Sequence, residues 1–265
     1  VNDAGNQIEK FGCSLEARYL QIFKGDEIEF PEDGYQGEDI KDLAKEYADL
    51  NGDSLVNVSA EERKKALVDY ALPKNIKKMQ ADMEKYKIFY DKWFFESELH
   101  KSGAVKAVVD LLTKKGLTYE KEGAVWYKNK EVLTQKLLKE GKSQKYIDNL
   151  ELKDDVLIRQ NGNPTYFTAD IAYHKNKFDR GFTTLIDVWG ADHHGHVMRM
   201  KGAMDAIGYD GDKLNVVLMQ LVKLVKDGEL VRMSKRTGKA IQLGDLLEEV
   251  PVDSARFLFN TREAN

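Results

Sequence analysis

The sequence predicts an α/β protein in which helices cover a parallel sheet, with an α+β insertion ahead of most of that sheet. Two observations carry this. From about residue 155, short apolar runs (Val156-Leu157-Ile158, Leu-Ile-Asp-Val-Trp at 185–189 and Val216-Val217-Leu218-Met219) alternate with helical patterns, as strand–helix–strand units do. Before them, residues 104–127 join an amphipathic helix to a hairpin pattern, a mixture that suits an insertion.

Each element follows from local pattern. Over residues 3–23, Ile8, Phe11, Leu15, Tyr19 and Ile22 recur at helical steps of three and four, giving a first helix. After the Pro31-Glu32-Asp33-Gly34 turn, Ile40, Leu43, Ala44 and Tyr47 mark a second, which stops at Asn51-Gly52. Ser59 with Glu62 forms a capping box, and Pro73 fits the first turn of a further helix, so residues 60–100 read as a helical block. A short helix over 104–115 ends at Gly116, and a Lys-Glu-Gly turn then separates Leu117-Thr118-Tyr119 from Ala124-Val125-Trp126-Tyr127.

Bulk properties narrow the function classes. The chain has 265 residues, 42% of them hydrophobic, enough to build a core. Its 41 basic and 45 acidic residues give a net charge of −4, which argues against a generic polyanion binder but leaves room for a local basic patch on RNA. A single cysteine, Cys13, cannot form an internal disulfide and points to a reducing compartment, the cytoplasm by default. No stretch nears the roughly 20 apolar residues of a membrane-spanning helix. Val1 is not a start methionine and leads straight into patterned sequence, so further chain is expected upstream.

Three segments carry chemistry. Residues 229–239 read Glu-Leu-Val-Arg-Met-Ser-Lys-Arg-Thr-Gly-Lys, with Arg232, Lys235, Arg236 and Lys239 around small polar residues. Such a loop can close on a polyphosphate through charge-assisted hydrogen bonds, although a solvated basic loop has the same composition. Gly190-Ala191-Asp192-His193-His194-Gly195-His196 follows an apolar strand, the place where ligands bind in open α/β sheets. Its Asp192, His193, His194 and His196 could alternatively hold a metal for a hydrolase, although no HExxH or second ligand cluster accompanies them. His100 and His174 stand alone, as surface or internally satisfied histidines. In the third segment, residues 163–174, a helix starting near Thr168 would let Tyr166 and Asp170 look into a cleft. A carboxylate and a phenol suit a guanidinium, which is costly to bury unless a carboxylate takes its N–H groups. Asp170 could equally be a first-turn residue favoured by the helix dipole, with Tyr166 in the core.

Together these motifs resemble those of arginyl-tRNA synthetases. Residues 232–236 are similar to the KMSKS motif of class I aminoacyl-tRNA synthetases, with Arg232 at the first lysine position and Lys235 at the second. Gly-Ala-Asp-His-His-Gly-His resembles the family's strand-end motif, and Thr-Tyr-x-x-x-Asp-Ile-Ala-Tyr-His its arginine-recognition stretch. The resemblance implies a doubly wound, Rossmann-like catalytic domain over residues 1–24 and 155–243. It also implies a connective insertion over 25–154, where the similarity is thinnest, and the start of a helical region over 244–265. Lys235 and Arg232 would act on the leaving pyrophosphate, and Tyr166, Asp170 and His193 on arginine. Gly190, Asp192, His196, Met233, Ser234 and Lys235 would contact ATP. The implied substrates are L-arginine, ATP with Mg2+ as counter-charge, and tRNA(Arg), with arginine activation dependent on bound tRNA. No protein-held metal and no membrane are implied, and a monomer is expected. The family's HIGH motif is absent from the sequence and expected upstream, and its anticodon-binding domain is expected downstream. On that reading the segment by itself is inactive. A non-catalytic nucleotide- or RNA-binding module is the remaining alternative.

Overall fold

The computed structural model describes residues 1–220, 222, 225–226, 229–230 and 242–261. They fall into two units, one built from the described residues of 1–95 and 223–263, the other from those of 96–222.

The first unit is led by helices α1 (Asn6–Lys24), α2 (Glu38–Asn51) and α3 (Ala60–Lys85). Apolar residues three and four apart place Phe11, Leu15 and Tyr19 of α1 on one stripe, packed with Ile40, Leu43, Ala44 and Ala48 of α2 and Leu67 and Ala71 of α3. Tyr19 is fully buried and its phenol is satisfied, donating to the Gly52 carbonyl at 2.8 Å and accepting from Leu55 N–H at 3.1 Å. Gly52 ends α2 at φ 59°, a conformation that other residues adopt only at a cost. The loop after it is tied by buried Arg63, whose guanidinium donates to the carbonyls of Leu55 (2.7 Å), Val56 (3.2 Å) and Val58 (2.6 Å) and pairs with Glu16 at 2.7 Å. Ser59 caps α3 by accepting from Glu62 N–H, the serine half of the expected capping box.

Pro73 departs from the sequence reading. It does not open a helix but lies inside α3, because Arg63, Leu67, Ala71 and Ile76 keep one buried face in phase across it. Packing of that face outweighs the roughly 3 kcal/mol that an interior proline costs. The unit closes with the hairpin β6 (Val225–Lys226) and β7 (Glu229–Leu230), then α10 (Leu243–Glu249) and α11 (Val252–Asn260). Asp253 of α11 pairs with Lys87 at 2.6 Å, and Arg256 donates to the Tyr86 carbonyl at 2.9 Å.

The second unit begins with α4 (Glu96–Lys101) and α5 (Ala104–Lys114), then the hairpin β1 (Thr118–Lys121) and β2 (Ala124–Tyr127). Helices α6 (Asn129–Lys139) and α7 (Gln144–Asp148) come next, followed by β3 (Asp155–Ile158), α8 (Tyr166–Asp179), β4 (Leu185–Gly190), α9 (His194–Ile207) and β5 (Leu214–Met219). Strands β4 and β5 pair in parallel, from Leu185 opposite Leu214 to Gly190 opposite Met219. This is the parallel element that the strand–helix alternation predicts. Helix α6 crosses α9 at Gly202, where a Cβ would meet Leu133 Cδ2 at 2.6 Å, so a larger residue there would have to push the Leu133 side chain aside.

Strand β3 is a second departure. It does not join the parallel strands but pairs antiparallel with β2, Trp126 opposite Val156 and Tyr127 opposite Asp155. Its other edge is taken by the returning loop, through the Ile158–Pro164 bridge and the Thr165 N–H to Leu157 carbonyl bond at 2.8 Å. With both edges occupied, β3 offers β4 no backbone groups to pair with.

Candidate active site

The site is built where β4 ends. Gly190 closes the strand, Ala191–His193 form a short 3-10 turn, and α9 starts at His194. The candidate residues therefore stand at the carboxyl end of a parallel strand, beside a helix N-terminus. Helix α8 supplies the other wall. Thr165 caps it, accepting from Thr168 N–H at 3.4 Å and donating to the Val156 carbonyl at 2.8 Å. The helix thus begins at Tyr166, two residues before the predicted start, because Thr165 is the capping side chain.

Tyr166 and Asp170, one turn apart, share a face of α8. Tyr166 is 51% exposed and so is not a core residue. The Asp170 carboxylate is half exposed and lies 3.2 Å from His196 Nε2. The ring that the resemblance allots to ATP is therefore the partner of the carboxylate it allots to arginine. His196 is largely buried between aromatic faces, 5.6 Å from Phe167 edge to face and 5.2 Å from Trp189. Trp189 also touches His193, at 6.2 Å, and so lies next to two of the candidate histidines. His193 and Asp192 are exposed and 3.9 Å apart, and His194 is exposed as well. Tyr166, Asp170, Gly190, Asp192, His193 and His196 thus come from two adjoining stretches of one unit. Arg232, Met233, Ser234 and Lys235 lie outside the described residues.

Behind this front are two ionic supports, one half-buried and one buried, that the sequence did not reveal. Asp155 of β3 takes both Nε (3.1 Å) and Nη2 of Arg199, whose guanidinium lies over the Phe167 ring at 4.8 Å. Burial pushes the Asp155 carboxyl above its ordinary range, against the opposing pull of Arg199. Asp187 of β4 meets His174 at 2.5 Å and Lys177 at 2.5 Å. Burial works against its charge, but the hydrogen bonds and charges of His174 and Lys177 prevail and hold its carboxyl below the usual carboxylate range. A faint signal for the second support was present: Asp170, His174 and Lys177 follow the spacing of one helical face.

The chain matches the family model described as tRNA synthetases class I (R), catalytic domain, over residues 30–265. The chain belongs to that family. Relatives named arginine–tRNA ligase share its sequence closely. The one from Caldanaerobacter subterraneus subsp. tengcongensis is 58% identical over 263 residues, and that from Ruminiclostridium cellulolyticum 55% over 264, each covering 99% of this chain. A crystal structure from Campylobacter jejuni, assigned as an arginyl tRNA synthetase, superposes with a TM-score of 0.82 at 35% identity, covering 100% of this chain and 54% of that one. The chain spans 44% of the length of the two curated relatives. For this class I synthetase domain neither alternative is supported. Among the described residues no three histidine, cysteine or acidic side chains are grouped to hold a metal ion, and the relatives carry the name of a ligase. Among the described residues, too, no helix is long and apolar enough to cross a membrane.

Proposed function

We propose that this domain handles arginine and ATP in an arginine–tRNA ligase that joins L-arginine to the 3′ end of tRNA(Arg). The arginine carboxylate attacks the α-phosphate of ATP, pyrophosphate leaves, and the activated arginyl group passes to the tRNA, releasing AMP. The observation that carries the reading is Asp170: a half-exposed carboxylate on the same helix face as Tyr166, at the end of a parallel strand and held by His196. A guanidinium brings a permanent positive charge and a planar set of N–H donors, and such a carboxylate accepts two of them at once. Tyr166 and His193 complete the arginine side. Gly190, Asp192, His196, Met233, Ser234 and Lys235 would contact ATP, and Arg232 and Lys235 would offset charge on the departing pyrophosphate. Magnesium travels with ATP as counter-charge and needs no protein cage. Residues 1–24 and 155–243 would belong to the nucleotide-binding fold, 25–154 to the connective insertion and 244–265 to a following helical region. The enzyme would act in the cytoplasm as a single chain.

Arginylation by a full-length chain containing this segment tests the reading. Labelled arginine should become tRNA-bound in the presence of ATP, whereas citrulline, its neutral counterpart, should not. Asp170→Ala should lower kcat/KM for arginine by roughly a hundred- to a few thousand-fold, the consequence of leaving a charged group without its partner. An Asp170→Ala enzyme with unchanged arginine kinetics overturns the assignment.

A further inference from the structure

His174 occupies the centre of a buried polar cluster that serves the proposed arginine site from behind. The residue is 3% exposed. Its Nδ1 lies 2.7 Å from the main-chain carbonyl oxygen of Asp170, and its Nε2 lies 2.5 Å from Asp187 Oδ2. A carbonyl oxygen only accepts, so Nδ1 donates there, and Lys177 donates to the second oxygen of Asp187 at 2.5 Å. Asp187 lies on β4, three residues before Gly190, while Asp170, His174 and Lys177 lie on α8. The cluster therefore ties the helix that carries Asp170 to the strand whose end carries the other candidate residues. Trp189 meets His174 edge to face at 6.2 Å and tilts against His196 at 5.2 Å, so both histidines flanking Asp170 rest on one indole. Asp170 is held twice, through its carbonyl by His174 and through its carboxylate by His196.

Helix formation alone does not require the side-chain bond to the Asp170 carbonyl, and apolar contacts could seal α8 on β4 as well as an ion pair does. What the ion pair adds is direction. A hydrogen bond fixes both the distance and the angle of the turn it grips, and substrate recognition depends on such placement.

We propose that His174, braced by Asp187 and Lys177, is a positioning residue for arginine recognition: it fixes the α8 turn so that Asp170 presents its carboxylate to the substrate guanidinium. This rests on the assignment of Asp170 above, and a double-mutant cycle in the full-length chain separates the two. Steady-state arginylation is measured for wild type, Asp170→Ala, His174→Phe and the double variant, with folding checked by circular dichroism. His174→Phe should raise KM for arginine by roughly ten- to a hundred-fold, the scale of a misplacement of about 1 Å, and leave KM for ATP unchanged. In the Asp170→Ala background the same change should cost less than about twofold, because the group it positions is gone. His174→Asn, which keeps an amide donor at the Nδ1 position toward the Asp170 carbonyl, should recover most of the arginine affinity. Equal losses from His174→Phe in both backgrounds overturn the positioning role, as does a parallel loss in ATP affinity. If Asp170→Ala alone leaves arginine kinetics intact, the site assignment fails and this proposal with it. Should His174→Phe not fold, Asp187→Asn takes its place: it must raise KM for arginine several-fold with ATP unaffected, or the proposal fails.

Discussion

The helical core of the first unit and the parallel strand pair of the second bury apolar surface in opposite ways. Helices α1, α2 and α3 turn their apolar stripes toward one another, and Leu15, Tyr19, Ala44 and Leu67 are nearly or wholly covered. Strands β4 and β5 cover one face, at Leu185, Asp187 and Leu214, and leave the other open, with Ile186 69% and Val188 67% exposed and Val217 and Met219 exposed as well. The core of the first region is closed by local amphipathic periodicity. The second region is a platform: its inner face is anchored by ionic pairs, and its strand ends carry the candidate site. The apolar core and the candidate site thus lie in different places, and substitutions should sort accordingly.

The largest expected effect lies in the helical region. Arg63→Ala leaves Glu16 without its partner and three loop carbonyls without their donor, and should cost about 3 to 5 kcal/mol in urea unfolding. Leu67→Ala removes a fully buried side chain and should cost about 2 to 5 kcal/mol by the same measurement. At the junction of platform and site, Asp187→Asn probes the buried pair through pH. The folded-state pKa of Asp187 is depressed, so the stability its charge contributes is present above the unfolded value of about 3.9 and is lost as pH falls through the folded value. The stability gap between wild type and Asp187→Asn should therefore be widest near neutrality and close in acid. A gap that widens below pH 4 contradicts the pairing. The smallest effect is expected on the open face, where Val188→Thr should change stability by no more than about 0.5 kcal/mol. A Val188→Thr cost matching that of Leu67→Ala would erase the distinction between the two regions.

How far the sequence disclosed this arrangement also differs between the regions. Helical periodicity located α1 and α2 within a few residues, and the Ser59 cap placed the start of α3, because these signals are local. The hairpin of β1 and β2 and the strands β4 and β5 were legible for the same reason. Pro73 misled because its helix is held by a face kept in phase from Arg63 to Ile76, which outweighs a local breaker. β3 misled because an apolar run does not declare its pairing partner, and here β2 and the 163–165 loop claim both edges. In the site, Tyr166, Asp170 and His196 were recognisable as motif residues. The pairings His196–Asp170, Arg199–Asp155 and His174–Asp187 were not, since they join residues 13 to 44 apart through tertiary packing. His174, read as an isolated histidine either on the surface or internally satisfied, is the latter, held by its own helix and by the strand that leads to the site.

A crystal structure of the full-length chain with L-arginine bound tests the central claim most directly. The guanidinium should lie within hydrogen-bond distance of both Asp170 carboxylate oxygens, near the Tyr166 hydroxyl and beyond the end of β4. An arginine bound elsewhere, with Asp170 still engaged only by His196, would contradict it.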